Sequence, residues 1–158
     1  MRIQEGFVYH IKDEYFKLAS NFVVKHKKHN GHSFPSYCCH VDSAEDILWM
    51  IPMSTNSKKY MDVYATELRR YGKCLSIALG TFDNKAVAFQ MQDLFPITSD
   101  YISHEHVRNG RSVLVNTNLK EKIRCLFDEI MRLRNKRIRC TFTDLDALLL
   151  LLKKSVKC

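Results

Sequence analysis

The pattern of apolar and polar residues predicts short strands with helices inserted between them. Residues 47–51 (ILWMI) form a continuous apolar run, which is typical of a strand covered on both faces. The run DLFPIT predicts a strand that is at an edge or has the proline as its first residue, because Pro96 has no backbone N–H to donate. The predicted strands are residues 6–11, 36–41, 47–51, 74–79, 85–90 and 93–98. Tight turns between several of them favour a small twisted barrel over a doubly wound sheet.

Five helices are predicted, four of them from the helical spacing of apolar residues. The first opens at Asp13, and the second runs from Tyr60 to Gly72 with Tyr64, Leu68 and Tyr71 on one face. A capping box of Asn118 and Glu121 predicts the third helix, and the fourth spans residues 144–154. The apolar stripe of the third helix is Leu119, Ile123, Leu126, Phe127, Ile130 and Leu133.

The segment YISHEHVRNG is interpreted as a short helix that closes at Asn109-Gly110. Histidines two residues apart flank a common ligand only from a strand. On this interpretation His104 and His106 are a surface pair.

Paired hydroxyls and paired lysines follow the apolar run directly, in the sequence PMSTNSKKY. Pro52 is expected to end the central strand and to leave Ser54 and Thr55 at the rim of the sheet. Hydroxyls there can hydrogen-bond phosphate oxygens, and Lys58 or Lys59 supplies positive charge for a developing oxyanion. The other interpretation is an ordinary polar turn with a solvated lysine pair.

A basic loop is predicted at residues 25–35, because KHKKHNGHSFP has no apolar periodicity. It is interpreted as a lip for nucleic acid, with a plain charged loop as the alternative. Its candidate RNA contacts are Lys25, Lys27, Lys28 and His32. Metal binding by the loop histidines is not expected, since neighbouring lysines repel a cation.

Composition adds a partner class to this picture. The chain has 158 residues with 25 Lys and Arg against 17 Asp and Glu, a net charge of +8. Such an excess favours a polyanionic partner, which releases counterions when it binds. Further candidate contacts are Arg69, Arg70, Lys122 and Arg124, on predicted helix faces that a solvated surface also explains.

One domain, residues 1–158, is expected in the reducing cytosol. Forty-six per cent of the residues are hydrophobic, and the six cysteines lack disulfide-framework spacing. No secretion signal is recognised, and the apolar stretch near the end is shorter than the roughly 20 residues that cross a bilayer. No membrane partner is expected.

Three blocks of sequence together resemble the ToxN/AbiQ/CptN endoribonuclease toxins of type III toxin-antitoxin systems, and the CptN branch most closely. The blocks are FVYHIKDEYF, the run PMSTNSKKY and AFQMQDLFPIT, in the family's order and spacing. The similarity covers roughly residues 6–115. Phe34 departs from the family, in which arginine is common at this position.

The resemblance implies an α+β fold: a compact SH3-like barrel of the MazF and Kid kind, with inserted and C-terminal helices. It also implies a functional tyrosine at Tyr15, paired hydroxyls at Ser54 and Thr55, and a catalytic lysine. Lys59 is the chosen lysine and Lys58 the alternative, because this turn has one more residue than that of ToxN. Without the resemblance, Tyr15 is interpreted as half-buried core.

The implied reaction needs no metal and no other cofactor. RNA carries its own nucleophile, the 2′-hydroxyl, so a site that aligns it and stabilises the phosphorane yields 2′,3′-cyclic phosphate and 5′-hydroxyl ends. The carboxylates of this chain are scattered, whereas metal-dependent nucleases gather several of them around Mg²⁺.

The implied partners are target RNA and an antitoxin RNA, a repeat-derived pseudoknot that inhibits the toxin in a toxin-RNA hetero-oligomer. A non-catalytic, basic nucleic-acid-binding regulator is the alternative function, since it has the same net charge and fold. A metal-dependent nuclease is the third.

Overall fold

The computed structural model describes residues 2–20, 22, 28–29, 32–33 and 35–156 of the chain. Lys25 and Lys27 lie outside the described residues, as do the side chains of Lys28 and His32. Their expected contacts with RNA therefore stay predictions.

Eleven strands and four helices make up the described part of the chain. The strands are β1 Val8–Ile11, β2 Lys28–His29, β3 His32–Ser33, β4 Ser36–Asp42, β5 Ile47–Ser54, β6 Ala78–Phe82, β7 Lys85–Phe89, β8 Phe95–Ile97, β9 Ile102–Glu105, β10 Val107–Arg108 and β11 Arg111–Ser112. The helices are α1 Asp13–Leu18, α2 Ser57–Tyr71, α3 Thr117–Asn135 and α4 Leu145–Val156.

A seven-stranded antiparallel sheet lies at the centre of the fold. Its strands follow the path β6-β7-β5-β4-β1-β9, and β8 pairs with β5 beside that path. The predicted α+β class is confirmed. Among the strands that the structure describes, backbone pairing leaves two ends, at β6 and β9, so these pairings do not form a closed ring.

Strand β5 is the longest of the described strands, and along one of its edges the pairing changes from β8 to β7. Leu48 to Met50 pair with β8, and Met53 and Ser54 pair with β7. All eight residues of β5 are buried, as expected for its apolar half. The prediction that the strand ends at Pro52 is wrong. Pro52 falls between the two pairings, where a missing N–H is tolerated, and its carbonyl accepts from the backbone of Gln90.

The predicted basic loop contains a short hairpin. Strands β2 and β3 pair antiparallel, with Lys28 opposite Ser33 and His29 opposite His32. Residues 30–31, which connect the two strands, lie outside the described residues.

Helix α2 begins earlier than predicted, and only the N-terminal part of its predicted apolar face packs against the rest of the protein. It starts at Ser57, so both adjacent lysines lie in its first turn. Tyr60 is its buried residue, packed with Cys74, Ile77 and Ala88, whereas Leu68 and Tyr71 are exposed. The predicted end at Gly72 is confirmed: Gly72 has φ +73° and its N–H donates to Leu68.

Helices α3 and α4 cover the sheet with the predicted apolar stripes. Leu119, Ile123, Phe127 and Ile130 of α3 are buried, and so are Leu145, Leu148 and Leu152 of α4. The predicted cap of α3 is wrong by two residues, since the Asn116 side chain accepts from the Asn118 N–H. No helix among the described residues is long and apolar enough to cross a bilayer.

Residues 102–112 form strand β9 and a second small hairpin instead of the predicted helix. Strand β9 pairs with β1, and β10 pairs with β11 around Asn109 and Gly110. Both turn residues have positive φ, which suits an Asn-Gly hairpin turn. The segment has too few apolar residues to fix a period, so its sequence pattern does not distinguish a short helix from strands.

Side chains bring the two ends of the strand path together. The ring of Phe82, at the end of β6, lies 5.6 Å from the ring of His106, which follows β9. Arg108 of β10 contacts Asp83, in the turn after β6, at 2.6 Å. The sheet therefore curls until its two ends meet at one cleft.

Candidate active site

A cleft with a volume of about 140 Å³ opens beside the end of β5. Its lining combines an apolar wall with hydroxyl, carboxylate, ammonium and imidazole groups. The lining residues are Pro35, Met53, Ser54, Thr55, Phe82, Asp83, Lys85, Val87 and His106. The predicted hydroxyl pair thus lies beside Asp83 and Lys85, which were not predicted for a site, and beside His106, which was interpreted as one of a surface pair.

Ser54 ends β5 with a buried side chain, and Thr55 follows with an exposed one. The Ser54 Oγ accepts the backbone N–H of Asn56 at 3.1 Å. A hydroxyl that already accepts one bond retains its proton for donation, so Ser54 is oriented to donate to a ligand oxygen. Asn56 also marks the start of α2, whose first backbone N–H groups lack partners within the helix.

A two-residue hairpin turn presents Asp83 to the cleft. Phe82 pairs with Lys85, and Asp83 and Asn84 between them have φ +53° and +62°. Positive φ at both central positions defines the tight turn that matches the twist of the flanking strands. The Asp83 carboxylate is one-fifth exposed and accepts from Arg108.

The backbone and a second histidine hold His106 in place. Its N–H donates to Val8 of β1 at 2.8 Å. Its Nδ1 lies 3.0 Å from Nε2 of His10, and its Nε2 lies 3.6 Å from Asp83 Oδ2. The ring of His10 also stacks on that of His104, with centroids 4.5 Å apart.

Tyr15 does not reach this cleft. The structure places it in the core with no exposed surface, and its hydroxyl donates to the carbonyl of Pro96 at 2.9 Å. Pro96 pairs with Trp49, five residues from Ser54, which corresponds to about 16 Å along β5. Burial raises the pKa of the phenol. The expected contact between Tyr15 and a phosphate is therefore corrected to a core role.

Lys58 and Lys59 are exposed in the first turn of α2. Adjacent residues of a helix point about 100° apart, so the side chains of Lys58 and Lys59 leave the helix in different directions. Lys59 Nζ lies 5.4 Å from the centroid of the Tyr60 ring. Lys85, in contrast, is a lining residue of the cleft.

The other candidate RNA contacts occupy two surfaces. Arg69 and Arg70 are exposed at the C-terminal end of α2, about 18 Å from its start. Lys122 of α3 is exposed beside α2, with Nζ 5.5 Å from the Tyr64 ring. Arg124 is partly neutralised, because Glu5 and Asp128 lie 3.6 and 3.4 Å from its guanidinium.

A second cleft, of about 240 Å³, lies between α3 and α4 and is rich in arginine. Arg134 pairs with Asp146, and Arg139 donates to the carbonyls of Thr141 and Phe142. Arg134 and Arg139 therefore stabilise the connection between α3 and α4, and this structural role accounts for the cleft.

No protein-family model matches the sequence, and no curated protein matches it by sequence. The structure is similar to that of AbiQ, a lactococcal anti-phage endoribonuclease belonging to the type-III toxin-antitoxin system. The TM-score is 0.69, and the superposition covers 96% of this chain and 98% of AbiQ at 12% identity. The chain has the fold of AbiQ. The expected likeness in fold is thus confirmed.

Cysteines contribute to the core of this AbiQ-like fold. Cys38 and Cys39 are buried in β4, and burial raises the pKa of Cys38 to about 12. Among the described residues, no three histidine, cysteine, aspartate or glutamate side chains are arranged to hold a metal ion.

Asp83, Lys85 and His106 are the cleft residues that sequence reasoning missed. Asp83 and His106 belong to opposite ends of the strand path, so their proximity depends on the curl of the whole sheet. A local signal did exist for the turn, since Asp-Asn between two strand-like runs is typical of a tight hairpin.

Proposed function

We propose that this chain is a metal-independent, sequence-preferring endoribonuclease toxin of a type III toxin-antitoxin system. It cleaves RNA to 2′,3′-cyclic phosphate and 5′-hydroxyl ends. The observation that carries the proposal is the cleft, which is lined by the hydroxyl residues Ser54 and Thr55 together with Asp83, Lys85 and His106. These groups can bind a phosphodiester and move its protons. The fold of AbiQ supports the same class of activity.

The hydroxyls bind the reacting phosphate. Ser54 accepts from Asn56 and so directs its own proton outward, and exposed Thr55 adds a second donor. The first N–H groups of α2 follow at once, and helix N-termini favour anions. Donors fixed before the reaction stabilise the extra charge of the phosphorane without reorganisation.

A lysine supplies the compensating charge. Lys59 is the assigned catalytic lysine, with Lys58 as the alternative, because both follow the hydroxyl pair within one helical turn. Lys85 lines the cleft and is therefore a third candidate for the catalytic lysine. An ammonium group near the phosphate stabilises the phosphorane most where water is excluded.

The RNA follows the basic surface that leads away from the cleft. Arg69, Arg70 and Lys122 lie on α2 and α3, and α2 begins beside Ser54. A distance of about 18 Å along α2 suits several nucleotides of single-stranded RNA. Lys25, Lys27, Lys28 and His32 are proposed as further RNA contacts, and Arg124 as a weaker contact because of its acidic partners.

The inhibitor is a repeat-derived RNA pseudoknot, assembled with the toxin as a hetero-oligomer. The net charge of +8 and the AbiQ fold support this part of the proposal. The proposal also includes membership of the CptN branch, an SH3-like barrel topology, a single domain and action in the cytosol.

Single-turnover cleavage of single-stranded RNA in EDTA tests the enzyme. The expected result is cleavage at the wild-type rate with or without EDTA, and none with the combined Ser54→Ala and Thr55→Ala variant. A non-catalytic regulator protects RNA without cutting it, and a metal-dependent nuclease stops in EDTA. Either outcome refutes the proposal.

Purification from the native operon tests the inhibitor separately. We expect a complex that nuclease treatment activates, with an affinity that falls steeply as salt rises, by a log-log slope of about −0.7 per single-strand phosphate contact. A protein inhibitor that survives nuclease treatment contradicts the RNA antitoxin and leaves the ribonuclease intact.

A further inference from the structure

His106 has the position and the chemistry of a proton acceptor. It lines the same cleft as Ser54 and Thr55, and its side chain is one-quarter exposed. Its backbone N–H is fixed to Val8, and its ring packs beside Phe82. A partly exposed imidazole on a rigid backbone meets the first requirement of a general base, which is reach to the substrate.

The two ring nitrogens of His106 have different surroundings. In the tautomer that carries its hydrogen on Nδ1, His106 donates to His10 Nε2 at 3.0 Å, and the lone pair of its own Nε2 can accept a proton. Asp83 Oδ2 lies 3.6 Å from Nε2, beyond ordinary hydrogen-bond length, so the carboxylate acts on Nε2 through space. A carboxylate at that distance stabilises the imidazolium that forms when the ring takes a proton.

We propose that His106 accepts the proton of the attacking 2′-hydroxyl, an inference that rests on the proposed ribonuclease function. The 2′ O–H bond breaks and its proton moves to Nε2 of His106. The 2′ oxygen forms a bond to phosphorus, and the bond from phosphorus to the 5′ oxygen breaks. Water protonates the departing 5′ oxygen, and the imidazolium returns its proton to solvent.

His10 and Asp83 are positioning residues in this assignment. His10 fixes the orientation of the His106 ring through Nδ1, and the Asp83 carboxylate places a negative charge beside Nε2. Arg108 in turn holds the Asp83 carboxylate at 2.6 Å. Among the described residues, His10 lies at Nδ1 of His106 and Asp83 at its Nε2, Lys85 of the β6-β7 hairpin lines the same cleft, and Arg108 of β10 contacts Asp83.

The test is single-turnover RNA cleavage by His106→Ala and by His104→Ala as a matched control. His104 belongs to the neighbouring strand and stacks on His10, but it does not line the cleft. We expect His106→Ala to lose a factor of about 10² to 10⁴ in rate. Free imidazole in the buffer should restore part of that loss, and His104→Ala should keep the wild-type rate.

The pH dependence supplies a readout that needs no variant. The wild-type rate should fall on the acidic side with unit slope, because a protonated imidazole cannot accept the proton of the 2′-hydroxyl. His106→Gln, which retains a polar side chain at the same position, should lose this limb. It replaces His106→Ala if that variant fails to fold.

The outcomes separate the two claims. A wild-type protein that cleaves no RNA refutes the proposed function. Cleavage by the wild type at a rate independent of pH, or equal cleavage by His106→Ala with the acidic limb intact, overturns the assignment of His106 alone. Loss of activity without rescue by imidazole, combined with an unchanged acidic limb in His106→Gln, overturns it as well.

Discussion

Arg108 donates to the carboxylate of Asp83 across 2.6 Å, and this pair joins the two ends of the strand path. Asp83 follows β6 and Arg108 lies in β10, next to β9. Both side chains are partly exposed, so the pair adds little to stability by itself. Its importance is geometric, because it holds one wall of the cleft against the other.

The hydroxyl pair is the first group to test. Ser54→Ala and Thr55→Ala, made separately, should each slow RNA cleavage by a factor of about 10² to 10³, the usual effect of losing one oxyanion donor. Ser43→Ala is a matched control, because Ser43 is exposed beyond the other end of β5, more than about 20 Å away. Cleavage at the wild-type rate by both site variants would reduce the segment to an ordinary turn.

Three lysines compete for one role. Lys59→Ala should abolish cleavage and toxicity to a host cell, while Lys58→Ala and Lys85→Ala should keep most activity. Thermal unfolding of each variant controls for stability. If Lys58→Ala is inactive and Lys59→Ala is active, the assignment is displaced by one residue. If only Lys85→Ala is inactive, the lysine that lines the cleft is the catalytic one.

Tyr15→Phe separates a core tyrosine from a catalytic one. The Tyr15 hydroxyl is buried and donates to Pro96, so its removal leaves a buried carbonyl unsatisfied. We expect the free energy of unfolding to fall by about 1–3 kcal/mol and the cleavage rate to remain at the wild-type level. Denaturant unfolding and single-turnover cleavage measure the two quantities. A large loss of rate in a variant of unchanged stability would return Tyr15 to the active site.

Gly80 tests the packing of α3 on β6. A Cβ added at Gly80 would lie 2.3 Å from the side chain of Leu119. Gly80→Ala should therefore lower the free energy of unfolding by about 1–3 kcal/mol. In a Leu119→Ala background the same change should cost much less, because the obstructing atoms are gone. Equal costs in both backgrounds would show that α3 does not rest on β6 in this way.

Local patterns predicted the elements that depend on neighbours in sequence. The buried run that became β5 and the apolar stripe of α3 each follow from a short-range period. The prediction at Pro52 was wrong because a strand tolerates a missing N–H where no neighbouring strand needs it. The position of the neighbouring strands is a property of the whole sheet.

The site was only half predictable for the same physical reason. Ser54 and Thr55 follow a strand and could be read from it, whereas His106 meets Asp83 only after the sheet has curled. Tyr15 shows the converse, since its position in a helix beside Phe16 was compatible with a site or with the core. Packing against Phe95 and Tyr101 decided for the core.

The chemistry of the RNA ends tests the central claim most directly. Cleavage of a defined RNA in EDTA should give products whose masses correspond to a 2′,3′-cyclic phosphate and a 5′-hydroxyl. The same RNA with a 2′-deoxy nucleotide at the cleaved position should bind and remain whole, because its nucleophile is missing. Cleavage of the deoxy-substituted RNA, or products with 5′-phosphate ends, would contradict the account.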